Sequence, residues 1–210
     1  MKITLKVLLV GAVILLAYMC YRSIMSSIEF DSERKVRESA IQARLIDIRK
    51  AQIEYKNVYG VHAANFEELG KFLKEKKLPF VLKEGELTDE QLEKGMKEKE
   101  AIKLGLIKRD TLWVVAKDTL FGANYNVDSL AIVPVANVKA FFSMDTATLL
   151  SSSGYTVKVF ESGVKYDTYL GDLNRQLLIN LKDKANKLEK YDGLRVGSVT
   201  EINNNAGNWE

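Results

Sequence analysis

The feature that most constrains this chain is an apolar run near its start. Residues 7–21 (VLLVGAVILLAYMCY) contain no charged side chain, and Lys6 is the only charge in residues 3–21. A helix that crosses the hydrocarbon core of a bilayer needs about 20 mostly apolar residues, with about 17 as the lower limit. Residues 3–21 reach that length when Lys6 extends its ammonium group to the headgroups. The run therefore predicts one transmembrane helix, with Tyr21 and Arg22 at the membrane interface.

We expect this helix to be retained as a signal anchor. A cleavable signal peptide needs small residues before the cut, and no Ala-x-Ala-like sequence follows the run. A lipoprotein signal is the alternative, because the only cysteine, Cys20, stands at the end of the run. Met19 occupies the preceding position, where a small residue is usual, so we regard lipidation of Cys20 as the less favoured reading.

A short leader carrying Lys2 and Lys6 in front of an apolar run has the layout of an export signal. We therefore expect a single-pass protein of the inner membrane, with its N-terminus in the cytoplasm and its body in the periplasm. The positive charges on the two sides of the run do not by themselves favour this orientation.

The rest of the chain has the composition of a neutral, folded protein. Hydrophobic residues make up 47% and charged residues 28% of the sequence. Lys2, Lys6 and Arg22 account for the formal net charge of +3, so the remaining charges balance. No cluster of Lys and Arg with interleaved aromatics is present, which argues against a nucleic-acid partner.

Residues 27–59 predict one long helix, since they contain neither Pro nor Gly and Gly60 follows them. The first half is polar on all sides, as in a solvated stalk. The second half has apolar residues at helical spacing on one face, with Gln52 as the only polar member. We predict that this stripe packs on a domain; its members are Ile41, Leu45, Ile48, Tyr55 and Tyr59.

The body predicts a mixture of short helices and strands. Two capping boxes predict the starts of short helices, because an N-cap residue is followed three positions later by Glu or Gln. These pairs are Asn65 with Glu68 and Thr88 with Gln91. Runs of β-branched, aromatic and other apolar residues predict strands at 78–82, 111–116, 130–135, 140–144, 155–160, 177–181 and 194–199, with a helix at 168–176.

The predicted fold class is α+β, an N-terminal transmembrane helix continuing into a long helical stalk packed on a mostly antiparallel sheet domain. The predicted division is a signal anchor (1–26), a helical stalk (27–60), an α/β extracytoplasmic domain (61–202) and a flexible tail (203–210).

The sequence offers no constellation of catalytic residues. His62 is the only histidine, so no cluster of histidines can bind a metal, and its place after Gly60 predicts a surface loop. The glycine motifs of phosphate-binding loops and nucleophile elbows are missing from the sequence. We therefore expect no catalytic, cofactor-binding or metal-binding residue and no enzymatic activity. The enzymatic alternative that remains is a hydrolase using carboxylates alone.

Residues 45–73 (LIDIRKAQIEYKNVYGVHAANFEELGKFL) resemble the junction between helix and domain in type IV pilins and pseudopilins. The matching positions are Arg49, Ala51, Gln52, Tyr55, Gly60, Phe66 and Leu69. The chain departs from pilins in that Ala12 follows Gly11 and the span contains no acid, so the resemblance does not extend to leader processing or filament assembly.

Over its whole length the chain is similar to uncharacterised single-pass envelope proteins of Bacteroidetes-type bacteria. The segments that carry this likeness are 26–30 (SSIEF), 47–55, 175–180 (RQLLIN), 196–198 (VGS) and 207–209 (GNW).

The layout of anchor, stalk and domain, together with the missing catalytic constellation, predicts a non-enzymatic structural or assembly component of a cell-envelope machine, with other envelope proteins as partners. The alternative is an exported module that binds a small ligand or peptidoglycan. In that case aromatic residues would line the ligand pocket, and the candidates are Trp113, Tyr125, Phe141 and Phe142.

Overall fold

The computed structural model describes residues 2–84, 104, 108–136 and 138–210. One uninterrupted helix, α1 (Lys2–Tyr59), contains both the apolar run and the predicted stalk. It ends at Gly60, whose φ of 72° is left-handed and whose N–H donates to the Lys56 carbonyl over 2.7 Å. Glycine adopts this conformation without the strain that a Cβ would add. The long helix and its terminating glycine are therefore confirmed.

The first part of α1 is long and apolar enough to cross a membrane. Its most apolar 18-residue window has a mean hydropathy of 2.0, and no residue of that window is buried. An apolar helix that is exposed on all faces is unfavourable in water, whereas lipid solvates it. The coarse prediction of one N-terminal helix capable of spanning a membrane agrees with this geometry.

The chain forms two compact units. The first comprises Met1–Ala64 together with Leu130–Glu210, and the second comprises Asn65–Ser129. The boundaries between these units, after Ala64 and after Ser129, do not coincide with those of the predicted domain of 61–202. The division of the sequence into four segments stays a prediction.

The first unit contains an antiparallel sheet of three strands in the order β3-β4-β5. These strands are β3 (Ser143–Leu150), β4 (Thr156–Lys165) and β5 (Gly193–Gly197). The register places Ser143 opposite Gly163 and Glu161 opposite Gly197. Gly197 has φ 71°, and a Cβ there would lie 2.1 Å from the Phe160 carbonyl oxygen, so only glycine fits.

Two helices connect β4 to β5, and α1 packs against both strands. The helices are α4 (Tyr166–Leu170) and α5 (Arg175–Lys187). Apolar side chains buried between the elements of this unit include Ile41, Leu45, Ile48, Phe160, Val164, Tyr169, Leu170, Leu178, Leu194 and Val196. The predicted α+β fold, with a long N-terminal helix and an antiparallel sheet, is confirmed.

The second unit pairs a two-stranded antiparallel ribbon with short helices. Its elements are α2 (Phe66–Glu75), β1 (Lys77–Glu84), β2 (Lys108–Val115), α3 (Ala116–Phe121) and a 3-10 turn (Val127–Ser129). The Asn65 side chain accepts the Glu68 N–H over 2.8 Å, which confirms the predicted cap. The helix predicted at Thr88 lies outside the described residues.

Three local predictions are wrong. Residues 177–181 belong to helix α5, because Asn174 caps it and Leu178, Leu181 and Ala185 recur at helical spacing on its inner face. Pro134 lacks an N–H for a ladder, and residues 130–135 supply only an isolated bridge between Ile132 and Phe141. The helix predicted at 168–176 is divided into α4 and the start of α5, with Gly171 following α4.

Candidate functional site

The predicted stripe of α1 is buried over most of its length. Ile41, Leu45 and Ile48 are fully inaccessible to solvent, as is Gln52 one turn later. Tyr55 is half-buried, and Tyr59 is 50% exposed. The predicted stripe is therefore fully buried from Ile41 to Gln52 and becomes exposed by Tyr59.

Gln52 connects α1 to the segment that follows it. Its Nε2 donates to the Ala63 carbonyl over 3.0 Å, and its Oε1 accepts the Ala63 N–H over 2.9 Å. Ala63 is itself fully buried, so both of its backbone polar groups need partners away from water. The one polar member of the stripe thus fixes the turn after α1.

His62 is a buried residue, and its prediction as a surface residue is wrong. Only 6% of it is exposed, and its ring lies 4.8 Å from that of Phe160. Neither ring nitrogen makes a hydrogen bond within the described part of the chain. Burial, with a smaller effect from the charge of Lys56, lowers the pKa of His62 to about 4, against a weaker opposing effect of backbone groups at Gln52 and Lys158. The ring is therefore neutral at pH 7.

Arg37 links α1 to the segment after α4. Its Nη1 and Nη2 donate to the two carboxylate oxygens of Asp172 over 2.6 and 2.9 Å, and Nη1 also donates to the Tyr169 carbonyl over 2.7 Å. A bidentate arginine–carboxylate pair is among the stronger polar contacts. The hydrogen bond from Arg37 holds the pKa of Asp172 below its usual range.

The polar first half of the stalk is therefore not solvated throughout, contrary to its prediction. The Arg37 side chain is only 11% exposed, and Phe30 is buried. Sequence periodicity missed these contacts because a guanidinium can be buried against carbonyl and carboxylate groups without an apolar pattern.

A cavity of about 290 Å³ lies beside Glu38 in the first unit. Glu38 accepts a hydrogen bond from the Tyr169 hydroxyl over 3.2 Å, and burial raises its pKa. Burial also raises the pKa of Tyr166 and Tyr191, which line the cavity. The remaining lining residues include Gln42, Leu181, Lys184, Leu188, Leu194, Asn208 and Trp209.

The aromatic residues proposed from sequence for a pocket are placed elsewhere. Trp113 is 63% exposed in the second unit, where Tyr125 stacks on Phe121 with ring centroids 4.3 Å apart. Phe141 is 72% exposed and Phe142 is buried in the first unit. The cavity beside Glu38 is lined by other aromatic residues, namely Tyr166, Tyr191 and Trp209. The sequence alone does not distinguish aromatic residues that line a cavity from those that pack in the core.

Cys20 is a free, exposed cysteine on the apolar part of α1. Within the described ranges, no group of three or more His, Cys, Asp or Glu side chains is placed to hold a metal ion.

No family model, curated protein or solved structure matches the chain. The candidate functional element is α1 itself, which Arg37, Ile48 and Gln52 hold against the rest of the first unit.

Proposed function

We propose that this chain is a non-enzymatic, membrane-anchored structural or assembly component of a cell-envelope machine, of the kind found in pilus or secretion systems. In this proposal α1 crosses the inner membrane once, with the N-terminus in the cytoplasm and the body in the periplasm. Other envelope proteins bind the exported body.

One observation carries the proposal. A single helix is exposed and apolar over its first part, yet fully buried at Ile41, Leu45 and Ile48. Lipid contact favours the first surface, and folding of the first unit satisfies the second. A helix that serves both environments without a break holds a folded unit at a fixed distance from the bilayer, as a scaffold component requires.

The anchor is tested by matched substitutions at two exposed isoleucines of α1. Ile14→Arg places a charge within the apolar run, where insertion costs about 3 kcal/mol, so we expect reduced carbonate-resistant retention in the membrane fraction. Ile24→Arg lies after the run and should be retained like the parent. Equal retention of both variants would show that this run does not hold the protein in the membrane.

The assembly role is tested by photo-crosslinking in intact cells, followed by purification in detergent. A crosslinking residue at Phe141 occupies an exposed aromatic position, and Thr148 is a matched exposed polar position on β3. Aromatic side chains contribute disproportionately to protein interfaces, so we expect discrete adducts at Phe141 and fewer at Thr148. Recovery of the protein only as a monomer at both positions would count heavily against the proposal.

A second candidate is an exported sensor that binds a small ligand or a peptidoglycan fragment. The observation that favours it is the cavity beside Glu38, because Tyr166, Tyr191 and Trp209 provide aromatic surface next to a carboxyl group. A ligand screen by thermal shift tests it, since specific binding raises the Tm with ligand concentration. The shift should disappear in Trp209→Ala; a shift that persists there would place the ligand elsewhere.

A further inference from the structure

The start of α5 lies beside the end of the apolar segment of α1. Asn174, the cap of α5, accepts the N–H groups of Gln176 and Leu177 over 3.0 and 3.3 Å. Its Nδ2 donates to the Ser26 hydroxyl over 3.0 Å. A cleft of about 410 Å³ separates the two helices here. It is lined by Tyr18, Met19, Arg22, Ser23, Ser26 and Ser27 of α1 and by Asn174, Gln176 and Leu177.

The other end of α5 lies farther along α1. Leu181, Ala185 and Leu188 share the cavity beside Glu38 and Gln42. The helix α5 therefore runs alongside α1 in the same direction, with its first turn toward the apolar segment. Lys187 lies about 17 Å beyond Gln176 along α5, from the rise of 1.5 Å per residue.

The position of Ser26 sets the depth of this cleft. Each headgroup layer adds about 5–7 Å to a hydrocarbon core about 30 Å thick. Ser26 lies five residues after Tyr21, the end of the apolar run, which corresponds to about 7.5 Å of helix rise. With the apolar run in the bilayer, the cleft extends from Tyr18 inside the run, past Arg22, to Ser26 at the outer edge of the headgroup layer.

The charge of the surface changes with distance from the apolar run. Residues 1–28 and 173–182 contain no acidic residue, and Asp172, which directly precedes the second segment, is paired with Arg37. Arg22 and Arg175 are both exposed. Farther along α1, a neighbouring cleft is lined by Glu29 and Glu33. Positive charge at headgroup level with acidic residues beyond it is complementary to an anionic lipid surface facing water.

We propose that the face formed by residues 18–27 of α1 and residues 174–177, at the cap and first turn of α5, is a membrane-docking surface that binds anionic phospholipid headgroups. This inference rests on the membrane anchor proposed above and adds a second contact to it. In this proposal Arg22 and Arg175, both exposed, bind lipid phosphate, and the half-buried Leu177 supplies apolar surface in the cleft.

The test uses the full chain with Cys20→Ser, so that one introduced cysteine carries an environment-sensitive fluorophore. Gln176→Cys places the fluorophore on the proposed surface, and Lys187→Cys is the matched control at the far end of α5. Each protein is reconstituted in vesicles of phosphatidylcholine with about 30% phosphatidylglycerol, which supplies the anionic surface. Nitroxide attached to the lipid headgroup quenches a fluorophore that touches it.

We expect quenching at position 176 to exceed that at position 187 by at least about threefold, since the two differ by about 17 Å along the helix. Combining Arg22→Glu with Arg175→Glu should lower the quenching at 176 in vesicles with phosphatidylglycerol to its level in pure phosphatidylcholine, because the anchor alone keeps this position near the headgroups. Each basic residue near an anionic surface contributes about fivefold to its binding. Undiminished quenching in that double variant, or equal quenching in pure phosphatidylcholine, would overturn the assignment of anionic headgroups.

Flotation of the vesicles separates this inference from the anchor. A protein that floats but leaves position 176 as accessible to aqueous iodide as position 187 is anchored without docking, and only the present inference fails. A protein that does not float overturns both.

Discussion

The contact between Gln52 and Ala63 gives the sharpest stability test in the chain. Gln52→Leu keeps a side chain of similar size in the fully buried position but removes the donor and the acceptor that Ala63 uses. A buried backbone group left without a partner costs about 1–3 kcal/mol. Two such groups cost about 2–6 kcal/mol, and the greater apolarity of leucine offsets about 1 kcal/mol of this.

We therefore expect a net loss of about 1–5 kcal/mol in the free energy of unfolding of the first unit. The measurement is urea unfolding of the full chain in lipid nanodiscs, followed by the fluorescence of Trp209 in a Trp113→Phe background. With an m-value of about 2 kcal/mol/M, the midpoint should fall by about 0.5–2.5 M urea. Hydrogen exchange of the Ala63 amide should accelerate in parallel.

The matched control is Gln42→Leu, which makes the same substitution at a half-buried position ten residues earlier on α1. Its midpoint should change by no more than a few tenths of a molar urea, since within the described residues the Gln42 side chain makes no hydrogen bond whose loss would leave a buried group without a partner. Equal midpoints for the two variants, with unchanged exchange at Ala63, would refute the role assigned to Gln52.

Four further predictions follow from other contacts. Ile48→Asp buries an unpaired carboxylate and should destabilise the first unit by about 3 kcal/mol or more in the same assay, whereas Ile53→Asp, at a position 39% exposed, should be tolerated. Arg37→Met leaves the Tyr169 carbonyl and Asp172 without their donor and should cost about 1–3 kcal/mol, against little change for the exposed Lys35→Met; equal loss in both would contradict the contact. His62 contributes stability that is complete above about pH 6.5 and falls as pH drops toward 4, by about 3 kcal/mol at most, because the unfolded chain binds a proton that the buried ring does not. His62→Gln should flatten this dependence of stability on pH. The measurement uses a Glu38→Gln background, because the raised pKa of Glu38 makes stability fall as pH rises through the same region. An unchanged pH dependence in His62→Gln would show that His62 is solvated. The intact mass of membrane-extracted protein should match residues 1–210, and loss of residues 1–19 with an added lipid at Cys20 would establish the lipoprotein reading instead.

The parts of the fold that sequence predicted are those governed by local chemistry. Gly60 and Asn65 end and begin helices because a left-handed turn and a side-chain cap depend on one residue each. The burial of Ile41, Leu45 and Ile48 follows from a helical period sustained over several turns.

The remaining features depend on tertiary contacts that no local pattern encodes. His62 is buried because the segment after Gly60 turns back onto α1, where Gln52 holds Ala63. Residues 177–181 are a run of four apolar residues broken by one asparagine, for which helix and strand periods fit equally well until the cap at Asn174 is known. The cavity beside Glu38 draws its lining from four separate stretches of chain, so sequence did not predict it.

Because α1 is continuous, a tilt of its membrane segment also displaces the folded unit that is packed on it. From Tyr21 to Tyr59 the helix extends about 57 Å, and it contains no proline or glycine in this length at which to bend. A tilt of 10° within the bilayer would carry its far end sideways by about 10 Å, together with the strands packed on it. Bilayer thickness, which sets the tilt of spanning helices, would then determine where the sheet is held above the membrane and which neighbours it can reach.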